Sequence, residues 1–505
     1  MEWCLWLFPQ CAPNFACEKG NKVYILRVLV LYFTARLFRS GRVQVLGAVG
    51  LTTMLLNGIA AKDYVTQQRY AAQRVSLAAK RENTIERVFV ARPSATFAYV
   101  DRSDLAHTPP YLIVTPWAVD TPTETLGTDD NAYFASLDWR SLYEFIFLPL
   151  AFLVSYDAIA AERETGRWRI ILAHPIRPCI LVGAASLAGA TVGCFVLAVS
   201  MMINLVPITL SKVVPLSKDL LLRYGGSFVL MAGGIIIAVI LGCLVSCLVS
   251  TCWEALLGVL LLWLALTVLV PVFASICTQI LAPTPPLDRL RNEIHHAQIS
   301  FYERAGPISS FAIANILSEH LPRSAEQDRI NKLNEDEARR SLHELQRFKA
   351  EVTELRTEFL GNMEMQNRLR EKLSRASPFE VVRQGVDATF VAGGAFEENF
   401  ASAVNRYVNV FSPVSEELQK EWFHRALRSG PRIEEDGYTL SQPLWVDYSV
   451  LPHRALAKVP LFVFRVPRPD WEQFRTSLSI LVIQVLITLI FLGGAATIRW
   501  GSYYR

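Results

Sequence analysis

The chain has 505 residues, 52% hydrophobic and 19% charged, with a formal net charge of +4. That balance excludes a disordered chain and a strongly basic nucleic-acid surface, and it fits a membrane protein with sizeable soluble parts. Of the nine cysteines, none falls in 62–140 or 284–475, so a domain built from those segments stands without internal disulfides.

Residues 1–42 form an N-terminal segment ahead of the first span. Within it VYILRVLVLYF (23–33) is short, is interrupted by Arg27 and lacks a small-residue cleavage site. It reads as an amphipathic helix on the cytoplasmic membrane face rather than a signal peptide. A crossing helix needs roughly 20 mostly apolar residues. The uncharged run 43–61 supplies the first, and 142–160, with Glu144 and Asp157 near its ends, a second. A third lies in 179–206. Between Arg223 and Asp288 the only charge is Glu254, and the length fits two spans, 226–250 and 256–281, joined by a turn at 250–254. The sixth is 477–497, followed by a tail, 498–505.

Lys and Arg near the span ends orient the bundle. Lys19, Lys22, Arg27, Arg36, Arg39 and Arg42 precede the first span; Arg163, Arg167, Arg169 and Arg177 follow the second; Arg499 and Arg505 end the chain. These place both termini in the cytoplasm of a multi-pass inner-membrane protein. The segments 62–140 and 284–475 then lie outside, joined there by a short loop, 207–224, whose Lys212, Lys218 and Arg223 run against the rule. The first outer segment opens with a helical pattern and turns Pro- and Thr-rich. The second carries Leu342, Leu345, Phe348, Val352, Leu355 and Phe359 at spacings of three and four, which predicts a long amphipathic helix within 330–375. Its stripe reads either as packing within a spacer or as a docking surface. Further helical stretches are predicted around 395–410 and 415–428. The fold class expected is therefore an all-α membrane protein of six transmembrane helices, with a mainly helical extracytoplasmic domain formed after helices 1 and 5.

Signatures of catalysis are missing from the sequence. It has no GxxxxGK[ST] loop to cradle ATP phosphates, no HExxH and no GxSxG. Cys243 and Cys247 share a helical face inside an apolar run, where packing outweighs a metal site. Glu144 and Gln484 are polar groups within spans, read either as functional or, for Glu144, as solvated at the interface. The segment 157–178, DAIAAERETGRWRIILAHPIRP, alternates charges and contains a Gly–Arg break. It reads either as a docking surface between two spans or as a solvated linker.

That segment resembles the type-2 ABC transporter (ABC-2) permeases, whose second span is followed by a pattern like D-x(4)-E-x-E-x-G-T-L, a leucine pair, Ser, Pro and Arg. Here Asp157, Glu162, Glu164 and Gly166 stand at matching distances, then Leu172, Pro175 and Arg177, while Arg167 and Trp168 replace the usual Thr and Leu. RLFRSGR (36–42) and the order of six spans with large segments after spans one and five are also similar to the family. So is the subfamily style of VPVF (270–273), APTPP (282–286) and SPFE (377–380) before the last span.

The resemblance implies a permease that couples ATP hydrolysis on a separate ABC ATPase to substrate movement, with a lean to export. The chain itself would be no enzyme and hold no cofactor, the ATP residing on the partner. A second permease, identical or not, would complete the pathway, and an extracytoplasmic partner is open. The coupling segment would comprise Asp157, Glu162, Arg163, Glu164, Gly166, Arg167, Pro175 and Arg177, with Glu162, Arg163, Glu164 and Arg167 contacting the ATPase. Gly183, Gly189, Gly193, Gly233, Gly234 and Gly242 would let helices approach closely. The alternatives are a membrane-anchored scaffold or mechanotransmitter whose outer domain binds a partner without transport, and a receptor that uses 157–178 to signal.

Overall fold

The computed structural model describes residues 19–82, 88–92, 97, 99–101, 111–114, 119–120, 138–167, 178–211, 214–305, 323–428, 459–464 and 468–501. It is mostly helical. Six helices are long and apolar enough to cross a membrane: Val43–Lys62, Trp139–Glu164, Cys179–Leu210, Lys218–Leu248, Cys252–Leu281 and Trp471–Thr497. Both the fold class and the number of spans agree with the sequence reading.

Helix α1 (Lys19–Arg39) ends at Ser40, and α2 (Gly41–Glu82) carries the first span. It runs on far past the apolar stretch because residues 62–82 contain neither Gly nor Pro and are rich in Ala, Gln and Arg. The second span is α3, made of Trp139–Leu142, a π-helical turn Tyr143–Phe147 and Leu148–Ser155, followed by the short α4 (Ala160–Glu164). The third is α5 (Pro178–Leu210) and the fourth α6 (Lys218–Leu248), started by Ser217, whose Oγ accepts from Leu220 N–H at 3.1 Å. The fifth, α7, runs from Cys252 to Leu281 through a π turn at Ala265–Leu269. A capping box starts it: Thr251 Oγ1 accepts from Glu254 N–H, and the Glu254 carboxylate accepts from Thr251 N–H.

Helix α6 is the centre of the bundle, packed on by α3, α5 and the last helix, α12 (Trp471–Gly501). Close approach is literal at two glycines. A Cβ on Gly234 would lie 2.0 Å from the Tyr143 hydroxyl, and one on Gly242 2.0 Å from Ser155 Oγ. Gly189, Gly193 and Gly233 also meet neighbouring side chains within 3 Å, whereas Gly183 faces open space, so it plays no part in close helix approach.

At the end of the bundle that bears the two long segments, α8 (Leu287–Ala305) pairs with the 52-residue α9 (Arg323–Ser374). The pair is antiparallel, since Ala297 shares a core with Phe348 and Val352 while Arg304 meets Glu344 at 3.3 Å. Three short strands, β1 (Val88–Ala91), β2 (Tyr111–Val114) and β3 (Val119–Asp120), form an antiparallel sheet in that order, with Val88 opposite Val114. Its apolar face, Val88, Val90 and Val114, is covered by Phe396, Phe400, Val404 and Phe411 of helix α11 (Gly393–Arg428). The sequence reading saw no strand here. Each is too short for its alternation to register, and the helix that completes its core comes from the far end of the chain.

The main departure is α10 (Pro378–Phe390). Read from sequence as part of a domain beyond the membrane, it packs instead among the spans, against α6 and α12. Ser377 Oγ donates to Leu266 O at 2.7 Å, and Gln484 Nε2 donates to Arg375 O at 3.0 Å. Leu266 and Gln484 lie near the middles of spans five and six. Phe379 meets Phe152, and Val382 lies by Gly234, both mid-span. At the other end of α10, Phe390 packs on Trp139 and Tyr224, and Ala388 O accepts from Asp470 N–H. The turn 375–377 therefore sits at mid-bundle, and α10 climbs from it to the domain end: a re-entrant helix.

Candidate functional site

The predicted coupling segment folds back onto the turn between α6 and α7. Ser246 Oγ accepts from the backbone N–H groups of Ile159 (3.1 Å) and Ala160 (2.9 Å), filling donors that the start of α4 leaves open. Arg163 Nη1 donates to Cys247 O and Val249 O, both at 2.9 Å, which caps the carbonyl end of α6. Glu164 accepts from Cys252 N–H at 3.0 Å, at the first turn of α7, where the helix dipole favours a carboxylate. Glu162 is buried and paired with Arg36 of α1, and Arg167 stands 3.6 Å from its second oxygen.

The site residues thus divide. Glu162 and Arg163 are turned inward and hold the element to α1 and α6. Glu164, Thr165, Gly166 and Arg167 are exposed and form its lip. Gly166 makes the lip possible, because its φ of +72° lies in the left-handed region that favours glycine. Asp157 is half-buried in the turn before α4. Pro175 and Arg177 lie outside the described residues.

The opposite end holds a second polar cluster that sequence reasoning did not assemble. One face of α10 presents Glu380, Arg383 and Asp387 at spacings of three and four. Arg383 pairs with Glu380 (2.7 Å) and Asp387 (3.5 Å), and with the fully buried Asp101 at 4.0 Å. Arg140 of α3 approaches Asp101 (3.9 Å) and Glu144 (3.3 Å). The cluster borders a small cleft, partly open to the exterior, whose walls include Arg140, Tyr143, Glu144, Val382, Arg383 and Asp387. Glu144 is thus an ion-pair partner inside the bundle, and its backbone carbonyl accepts from Trp263 Nε1 at 3.0 Å. Arg223 caps the re-entrant helix, donating to Thr389 O (3.3 Å) and Phe390 O (3.4 Å). The signal available in sequence was the phase of 380, 383 and 387 within SPFEVVRQGVDATFVAGG, a short apolar run too polar on one side to cross alone.

Among the described residues no cluster of three or more His, Cys, Asp or Glu is placed to hold a metal ion. A family model described as ABC-2 family transporter protein matches residues 21–415, more than three quarters of the chain. The chain belongs to the ABC-2 transporter family. No curated protein matches it. As an ABC-2 transporter it is a multi-pass membrane protein and the permease component of an ABC transporter, a transport component rather than a catalyst. The family implies association with an ABC ATPase subunit. The matched region of this ABC-2 permease takes in α4 and α10, the two elements around which its polar side chains gather.

Proposed function

We propose that this permease couples ATP hydrolysis by a separate ABC ATPase to export of a substrate, with α4 and its lip as the contact. The observation that carries this reading is the anchoring of α4. Five hydrogen bonds and a half-buried ion pair tie it to α1, α6 and α7. The exposed lip Glu164–Arg167 therefore cannot be pushed without moving those helices. ATP resides on the partner, since this chain has no phosphate-cradling loop. Glu164 and Arg167 supply the charge-assisted contacts. Glu162, Arg163 and Asp157 position the lip, and Pro175 and Arg177 end the segment.

In this reading both termini and α4 face the cytoplasm of the inner membrane, and the sheet, the α8–α9 pair and α11 lie outside. Span five is exposed along most of its length, which suits pairing with a second permease chain, identical or homologous. The length of α9 favours an additional role. Its 43 residues before Gln366 reach about 65 Å at 1.5 Å per residue, far enough to engage an extracytoplasmic partner and to transmit movement to it.

Purification in mild detergent tests the coupling. A stoichiometric ABC ATPase is expected with the wild-type chain and lost in the double variant Glu164→Arg, Arg167→Glu. Absence of any ATPase across several detergents overturns the reading.

A further inference from the structure

The second helix of the re-entrant pair is the last stretch of α9, and its chemistry is unlike that of its surroundings. Thr284, just beyond span five, donates to Gln366 at 3.1 Å, so Gln366 stands level with the domain end of that span. Eleven residues later Ser377 reaches the carbonyl of Leu266 at mid-span. At 1.5 Å per residue this descent is about 16 Å, the half-thickness of a hydrocarbon core of about 30 Å. Residues 367–376, NRLREKLSRA, therefore pass through half the membrane carrying four basic side chains and one acidic.

Their placement rules out lipid as the neighbour. One side of this stretch lies by the outer half of span five. Arg368, Arg370 and Lys372 are exposed on the remainder. Arg368 pairs with Glu364, but Arg370 and Lys372 have no ion-pair partner among the described residues. Arg375 is held at the turn by Gln384 at 3.1 Å. Snorkelling carries Arg368 to the interface, yet Lys372 lies about 9 Å below Gln366 and its stem spans only about 6 Å. Charges at this depth persist only against protein or water.

We infer that this stretch lines a water-filled vestibule in the outer half of the membrane, and that its basic surface receives a substrate through an anionic group. The inference deepens the transport reading above and rests on it for the word substrate. The vestibule itself rests on the depth and exposure of Arg370 and Lys372. A low-dielectric wall around a net positive surface concentrates anions within it. Arg370 and Lys372 are the specificity-determining residues.

The test uses the full-length chain in lipid nanodiscs, where both faces are accessible, so the result depends neither on orientation nor on the ATPase. In a background without native cysteines, Arg370→Cys and Lys372→Cys are reacted with anionic sulfonatoethyl and cationic trimethylammonioethyl methanethiosulfonate. Glu351→Cys, on the exposed part of α9, reports that the reagents reach the protein, and Ile276→Cys reports the exposed apolar face of span five. Positions 370 and 372 are expected to react nearly as fast as 351, and about tenfold faster with the anionic reagent. Position 276 stays unreactive. No reaction at 370 and 372 while 351 reacts overturns the vestibule. Equal rates for the two reagents overturn the anionic assignment. Slowing of the reaction by inorganic phosphate assigns a soluble anion, slowing by dodecyl phosphate alone an anionic amphiphile, and slowing by neither also overturns the assignment.

Discussion

Asn204 shows how much one polar side chain fixes in this bundle. Its Nδ2 donates to Met54 O and to Asn57 Oδ1, both at 2.8 Å, and its Oδ1 accepts from Trp139 Nε1 and Tyr224 OH, both at 3.2 Å. Spans one to four are thereby joined at one buried point. Removing the side chain strands the buried Trp139 Nε1–H, at a cost of about 1–3 kcal/mol, and takes a partner from Asn57 Oδ1 and from the Tyr224 hydroxyl, which keeps Tyr99 OH at 3.4 Å. Asn204→Ala is expected to lower the thermal unfolding midpoint in detergent by several degrees, and an unchanged midpoint would contradict the hub. Gln484 is a different case. Its Nε2 holds the re-entrant turn, while its buried Oε1 has no hydrogen-bond partner among the described residues. Arg223 counted against the charge rule in sequence, and the structure gives it the work of capping α10, with its guanidinium 4.9 Å from the Phe97 ring centre.

Among elements, α10 depends most on small spaces. A Cβ on Gly385 would lie 2.6 Å from Leu230 and 3.0 Å from Ser477, so a branched residue there displaces the helix from α6 and α12. Gly385→Val is expected to destabilise the protein by about 1–3 kcal/mol, seen as a lower midpoint. Gly361→Ala on α9, with open space around it, is expected to be neutral or slightly stabilising. Equal effects of the two would contradict the re-entrant packing. The spans were legible in sequence because about 20 apolar residues announce themselves without reference to neighbours. The capping box at Thr251–Glu254 is equally local. The re-entrant helix and the sheet were not legible, because each is completed by residues remote in sequence: Trp139 and Tyr224 around Phe390, Phe396 and Phe400 over Val90. The coupling segment was legible as a motif, but not its division. Nothing in AERETGR tells that Glu162 turns inward to Arg36 while Glu164 stays at the surface.

Across the whole molecule, α6 connects the two polar sites. Its 31 residues carry Ser246 and the carbonyls that grip α4 at one end, Gly234 against Tyr143 and Val382 in the middle, and Arg223 on the tip of α10 at the other. Under the coupling proposed above, a displacement of the lip would pass along this one helix to α10, a shear between packed elements rather than a diffuse signal. The central claim is that this route begins at an ATPase. A photocrosslinking amino acid at position 167, in the native membrane, tests it most directly. The account predicts an adduct between this permease and an ABC ATPase from position 167, and none from position 351 on α9. An ATPase adduct from 351 and not from 167, or none from either position while the protein is present and folded, would contradict it.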